Sequence, residues 1–158
     1  MPTTERPCIA INTNVLISAG LLKHSRSAEA LTVAVEHFEI AQNRATWHEL
    51  ETRIAKEKFD RYFAPDGRLR HLVQIARSVR MVAPQSDEAI SRDPSDDKFI
   101  QLALDAGARL LISGDPDFKD IRHHKGIDIL SPAQFLLRFQ SRDGEDAEHT
   151  LRARCDAP

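Results

Sequence analysis

Five residues with the chemistry to hold a metal ion or meet a phosphate stand at four places in the chain, each beside a short apolar run. They are Asn12 in Cys-Ile-Ala-Ile-Asn-Thr-Asn-Val-Leu, Glu49 in Thr-Trp-His-Glu-Leu, Asp96 in Arg-Asp-Pro-Ser-Asp-Asp-Lys-Phe, and Asp115 with Asp117 in Leu-Leu-Ile-Ser-Gly-Asp-Pro-Asp-Phe. Converging oxygen ligands are what hard divalent cations such as Mg²⁺ or Mn²⁺ bind. Asn12 is the odd member, because it offers one neutral carbonyl oxygen and cannot act as a base. Thr13, Asn14 and Ser113 are placed to orient a carboxylate or a phosphate.

Each position also has a local structural explanation. Asp93 and Pro94 suit a helix start, which puts Asp96 in the first turn where a carboxylate favours the helix dipole. Thr46 and Glu49 have the spacing of a capping box. Asp115 and Asp117 bracket Pro116 in a turn, and Asn12 can bond to its own backbone. Asp97 is expected to face water, and Glu51 to flank the core. The histidines at 24, 37, 48, 71, 123, 124 and 149 share no ligand spacing, so surface or capping roles are expected for them.

Those residues need elements to bring them together. At 158 residues, 41% hydrophobic and 29% charged, the chain is an ordinary single globular domain able to bury a core without disulfides. Its two cysteines, Cys8 and Cys155, fit neither a disulfide framework nor a metal site. No apolar run approaches the roughly 20 residues of a membrane span, and the N-terminus lacks a signal-peptide pattern, so no membrane association and a cytoplasmic location are expected. Net charge is −2, yet 52–80 holds eight Lys/Arg against three acids. That basic arm suits a phosphate backbone, or else is a solvated helical surface.

Strands are expected at 8–11, 39–41, 79–82, 109–113 and 127–130. Helices are expected at 15–22, from Ser27 as cap to about 38, from Trp47 to about 63, at 68–78, from Pro94 to Gly107 and from Pro132 to 139, with a helical turn at 86–91. Trp47 should face the core, and the helix at 68–78 carries the apolar residues Leu69, Leu72, Val73 and Ala76. Alternating strands and helices imply a mainly parallel sheet covered on both faces, a three-layer α/β/α sandwich. Residues 1–139 form one domain, and 140–158 a polar, disordered tail. In such a sheet ligands bind outside the carboxyl ends of the strands. Asn12 and Asp115 follow strands there, and Glu49 and Asp96 lie near helix starts, so all four can share one cleft.

The order of these segments resembles the PIN-domain family of metal-dependent ribonucleases, which includes many toxins of bacterial toxin-antitoxin pairs. The likeness runs from Ile9 to about Phe139. It is carried by Asn12-Thr13-Asn14-Val15-Leu16 where the family has Asp-Thr-Asn-Val-Leu, by Glu49-Leu50 before a basic segment, by Arg92 to Phe99, and by Ser113-Gly114-Asp115-Pro116-Asp117-Phe118. The resemblance implies a PIN-like fold and an Mg²⁺- or Mn²⁺-dependent endoribonuclease with Asn12, Glu49, Asp96 and Asp115 around the metal and Asp117 beside it. It places RNA against Lys23, Arg26, Arg53, Lys56, Lys58 and Arg61, and implies an antitoxin partner and a homodimer, for which Leu31, Val35 and Leu136 offer apolar faces if they are not core. The departure is Asn12, which should weaken metal binding and cleavage. It is either an aspartate replaced to silence a nuclease or a natural variant of low activity. Asn12-Thr13-Asn14-Val15 and Gly114-Asp115 also resemble haloacid-dehalogenase-type phosphatases, an alternative that leaves Glu49 and Asp96 without a role. A non-catalytic RNA- or protein-binding module is the third reading.

Overall fold

A computed structural model describes residues 6–85, 94–114 and 122–140, the backbone alone for 94–97 and 140. The chain runs β1 (Cys8–Ile11), α1 (Thr13–Leu21), α2 (Arg26–His37), β2 (Glu39–Gln42), α3 (Arg44–Ile54), a 3-10 turn (Glu57–Phe59), α4 (Gly67–Ala76), β3 (Val79–Met81), α5 (Pro94–Ala106), β4 (Leu110–Ile112), β5 (Arg122–His124), β6 (Ile127–Leu130) and α6 (Pro132–Gln140). The six strands form one sheet in the order β3-β2-β1-β4-β6-β5. All pairings are parallel except β5 with β6.

β1 is central and buried along its whole length. Its alternating residues feed two cores: Ile9 and Ile11 pack with α1, α2, α3, α4 and α6, whereas Cys8 and Ala10 pack with α5. This is the expected α/β/α arrangement. After β1 the chain moves outward through β2 to β3, then crosses to the other side of β1 as β4. The sheet therefore reverses direction between β1 and β4. Such a switch point leaves a crevice at the strands' carboxyl ends, because the flanking connections depart to opposite sides.

The helix ends follow local chemistry. Ser25, not Ser27, caps α2, its Oγ accepting from Ala28 N at 3.1 Å. Ser131 and Gln134 exchange side-chain and backbone bonds ahead of α6, at 3.1 and 2.9 Å, a reciprocal cap next to Pro132. Gly107 ends α5 with φ 67°, and Ala108 N bonds back to Ala103 O at 2.8 Å, so only glycine suits that left-handed position. The third helix is shorter than its periodicity suggests. It ends at Ile54, where Arg68 Nε bonds Ile54 O at 2.7 Å and Arg68 Nη2 bonds Lys56 O at 3.1 Å and Asp60 Oδ1 at 2.6 Å. Arg68 thus ties down the chain leaving α3.

Other expectations change. The strand β5 was not anticipated. Arg-His-His is polar and exposed, and it pairs only at the sheet edge, through a two-residue turn with Lys125 at φ 51° and Gly126 at φ 83°. On α4 the inward residues are His71 and Ile75, while Leu69 and Val73 are exposed. Glu51 is exposed, and Trp47 packs partly buried against the core. Leu31 and Leu136 are core residues and Val35 packs against them, so this set does not supply a self-complementary outer surface. The helical turn at 86–91, Cys155 and the tail from 141 lie outside the described residues. Among the described residues no helix is long and apolar enough to cross a membrane.

His71 is buried, against the surface role expected for the histidines. Its Nε2 donates to Leu16 O at 2.7 Å, which assigns the neutral Nε2–H tautomer, and burial holds its pKa below the ordinary 6.5. A Cβ on Gly20 would fall 2.6 Å from the His71 ring. The close α1–α4 crossing therefore requires glycine. Gly20→Ala should cost about 1–3 kcal/mol by overpacking, read as a lower urea midpoint. Because the lowered folded pKa makes the unfolded chain the better proton acceptor, the His71 contribution is complete above pH 6.5. It is lost as pH falls from there through the folded value. Urea midpoints measured at neutral and mildly acidic pH should show that decline, and it should disappear in a folded His71→Gln variant.

Candidate active site at the sheet switch point

Asn12 stands where β1 becomes α1, and its backbone N–H donates to Ile112 O at 2.8 Å. That bond extends the β1–β4 pairing by one step and ties Asn12 to the end of β4. Ser113 and Gly114 follow at the same edge, with a Gly114 Cβ position 3.5 Å from Val15 of α1. The strand ends that carry the first and fourth motifs are thus adjacent. Asn12 Oδ1 accepts from Asn14 N at 2.9 Å and caps α1. An aspartate could make the same cap with one oxygen and keep a second anionic oxygen available. Asn12 has an NH₂ group in that place, which cannot coordinate a cation. Thr13 is buried directly behind it.

Glu49 is not a helix cap. The α3 cap lies three residues earlier, where Asn43 Oδ1 accepts from Thr46 N at 2.8 Å and Thr46 Oγ1 accepts from Asn43 N at 2.9 Å. Thr46 also donates to Gln42 Oε1 at 2.7 Å, joining α3 to the carboxyl end of β2 through buried side chains. Glu49 therefore sits in the second turn, and helix capping does not explain it. The sequence does hold the signal that finds this cap, an Asn three residues before Thr46, but Thr46–Glu49 matches the more familiar pattern.

The Glu49 side chain is only 13% exposed and lies between two cations. Its Oε2 pairs with Lys98 Nζ of α5, and Arg53 Nη2 approaches its Oε1 to 2.9 Å. That approach is within ion-pair distance, yet Oε1 is buried and no N–H is aligned to it as a hydrogen bond. Oε1 is thus held by the charge of Arg53 rather than by an aligned hydrogen bond. Arg53 Nη1 also reaches Asn14 Oδ1 at 3.4 Å, so one guanidinium links the α3 carboxylate to the first turn of α1. Arg53 thus faces this site, while Lys56, Lys58 and Arg61 are exposed beyond the end of α3.

α3 packs on one face of the sheet and α5 on the other. The Glu49–Lys98 pair therefore bridges the two helical layers across the sheet. It brings the N-terminal part of α5, whose first turn carries Asp96, toward the α3 layer; the Asp96 and Asp97 side chains lie outside the described residues, as do Asp115 and Asp117. Lys23 and Arg26 are exposed past the far end of α1, a nine-residue helix, about 13 Å along the axis from Asn12. They are not next to the carboxylate. Among the described residues no three His, Cys, Asp or Glu side chains form a metal-binding group.

The profile of the PIN-domain family matches residues 9–117. The chain belongs to the PIN-domain family. Its members are generally nucleases, and the match spans all four motifs, from Asn12 to Asp117. No curated protein sequence matches the chain closely enough to name a relative. The matched span includes Glu49 and the α5 motif. Lys98, Asn43 and Gln42 are site or support residues that the sequence does not single out, and Arg53, expected against RNA, instead pairs with Glu49 and reaches Asn14. Of these, Lys98 was in plain view within Asp96-Asp97-Lys98-Phe99, but a lysine beside two acids reads as a solvated helix surface.

If Asn43 and Thr46 hold the start of α3, Asn43→Ala should cost about 1 kcal/mol. Thr46→Ala should cost more, since it leaves buried Gln42 Oε1 without its donor. Glu49→Gln should leave the cap intact and cost less than either. Urea denaturation of the three variants checks the order.

Proposed function

We propose that the protein is a PIN-domain endoribonuclease that uses Mg²⁺ or Mn²⁺ and is attenuated by Asn12. The observation that carries this reading is Glu49 Oε1, an anionic oxygen buried at the switch-point edge with no aligned hydrogen-bond donor. Hard divalent cations prefer such an oxygen, so the donor chemistry at Glu49 fits the ion. That at Asn12 fits poorly, because its carbonyl oxygen is engaged with Asn14 N–H.

Glu49, Asp96 and Asp115 would hold the ion, with Asp117 adjacent in sequence. A bound ion of this kind supplies a water activated for attack on phosphorus and neutralises charge on the phosphodiester. The chain's own residues position these groups. The Asn12 N–H bond to Ile112 O sets the end of β1 against that of β4, and Arg53 holds Glu49 and the α1 start together. Asn14 and Ser113 offer polar groups at the same edge to orient phosphate, and Thr13 supports the turn from behind.

In the sequence as it stands, Mg²⁺ binding should be weak and cleavage slow. Asn12→Asp should raise Mn²⁺-dependent cleavage of single-stranded RNA by about 100-fold or more, a change abolished by EDTA. A variant that hydrolyses phosphomonoesters but not RNA would establish the phosphatase chemistry instead, and cleavage unaffected by EDTA would remove the metal.

Lys56, Lys58 and Arg61 are free of the carboxylate and suit the RNA backbone. The double change Lys56→Glu, Arg61→Glu should weaken RNA binding across sequences and lower the slope of log K against log salt by about 1–2. An unchanged slope would make them a solvated surface.

The resemblance to toxins extends the proposal to an antitoxin that covers this cleft, with a basic side chain against the carboxylates, and to a homodimer. Co-expression with the product of a neighbouring gene, followed by light scattering, tests the partner. A strict monomer that binds no such product removes the toxin role and leaves the nuclease one.

A further inference from the structure

We propose that Lys98 is an internal counter-cation of the site: it neutralises Glu49 when no divalent ion is bound, competes with that ion for the carboxylate, and when displaced becomes a contact for the RNA backbone. The proposal rests on the metal-dependent nuclease reading and deepens it.

Three observations lead there. The first is charge. Glu49 carries one negative charge, and Arg53 and Lys98 both approach it, so this triad has a net charge of +1. An ion arriving at this carboxylate would meet the Arg53 guanidinium at Oε1 and the Lys98 ammonium at Oε2, in a place where Glu49 is largely removed from solvent. Like charges at that separation disfavour each other strongly when water is partly excluded. The divalent ion must therefore displace a cation rather than fill a neutral site.

The second is the difference between the two partners. Arg53 is four residues from Glu49 on the same helix and also reaches Asn14 Oδ1. Its planar group is tied at both ends and belongs to the framework. Lys98 comes from a different helix in the opposite layer and is 35% exposed. Its Nζ also stands over the Phe99 ring, 5.6 Å from the centroid. A lysine has a flexible four-carbon stem and a compact charge, so Lys98 can leave Glu49 for solvent without disturbing α3.

The third is position. Lys98 reaches across the carboxyl edge of the sheet, where a phosphodiester would have to lie to meet Glu49. Displaced from the carboxylate, its ammonium remains at that edge. There it is one phosphate contact, separate from the exposed Lys56, Lys58 and Arg61.

The test uses the full chain carrying Asn12→Asp, with and without Lys98→Met and Lys98→Arg. Mn²⁺ affinity is read from the free-ion electron paramagnetic resonance signal, and single-stranded RNA affinity is read separately in EDTA. Lys98→Met should tighten Mn²⁺ binding about fivefold to tenfold and weaken RNA binding about threefold to tenfold, while Lys98→Arg stays near the parent in both. A second measurement needs no change at Lys98. Its acetylation by acetic anhydride, followed by mass spectrometry, should rise about threefold or more when Mn²⁺ is added. Mn²⁺ affinity unchanged or weakened in Lys98→Met, or acetylation of Lys98 unmoved by Mn²⁺, would make the lysine a structural tie and overturn the proposal while leaving the nuclease reading intact. Tighter Mn²⁺ binding without RNA cleavage in the parent would support the proposal and overturn the nuclease reading alone. No Mn²⁺ binding in any variant would overturn both.

Discussion

β1 is paired in parallel on both sides and buried on both faces, and this constraint organises the molecule. A strand in that position has no free edge, so the chain leaving it must turn immediately at its carboxyl end. Asn12 makes that turn: its N–H completes the pairing to β4 and its side chain caps α1. Because β2 and β4 lie on opposite sides of β1, the connections diverge at the edge where Asn12 stands. The crevice is a consequence of strand order, and the polar residues around it occupy an edge that the fold cannot fill with apolar side chains.

The electrostatics of that edge are set by groups from both helical layers. α3 brings Glu49 from one face and α5 brings Lys98 from the other, so their ion pair links two cores that share little else than the sheet. Arg53 then connects Glu49 to the first turn of α1. A carboxylate so placed is held still by its cations while one of its oxygens stays without a hydrogen bond. Glu49 does not cap α3. Capping of α3 falls instead to Asn43 and Thr46, which also anchor the helix to the end of β2.

Periodicity and end signals made most elements legible. The apolar run before Asn12, the Ser131-Pro132 helix start and the glycine at 107 act through neighbours in the chain, and each was readable for that reason. The misreadings share a different cause. On α4 a surface or capping role is expected for His71, but the close approach of Gly20 selected it for the interior and left Leu69 and Val73 outside. The strand β5 has no apolar alternation and exists because β6 offers it an edge. Thr46 and Glu49 have the spacing of a cap, and only the true start of α3 shows that Asn43 takes the role.

By itself the sequence determined the layered α/β class, the strands and most helices, the family, and four motifs that could meet at one edge. Those properties depend on side-chain period, turn chemistry and local spacing, all of which are carried by residues close along the chain. Tertiary structure alone decided that Glu49 is free of capping, that Arg53 belongs with it, and that Lys98 reaches it from the opposite layer. Glu49 and Lys98 are far apart in sequence and on different helices, so their pairing follows from how two layers pack on one sheet, which no local pattern encodes.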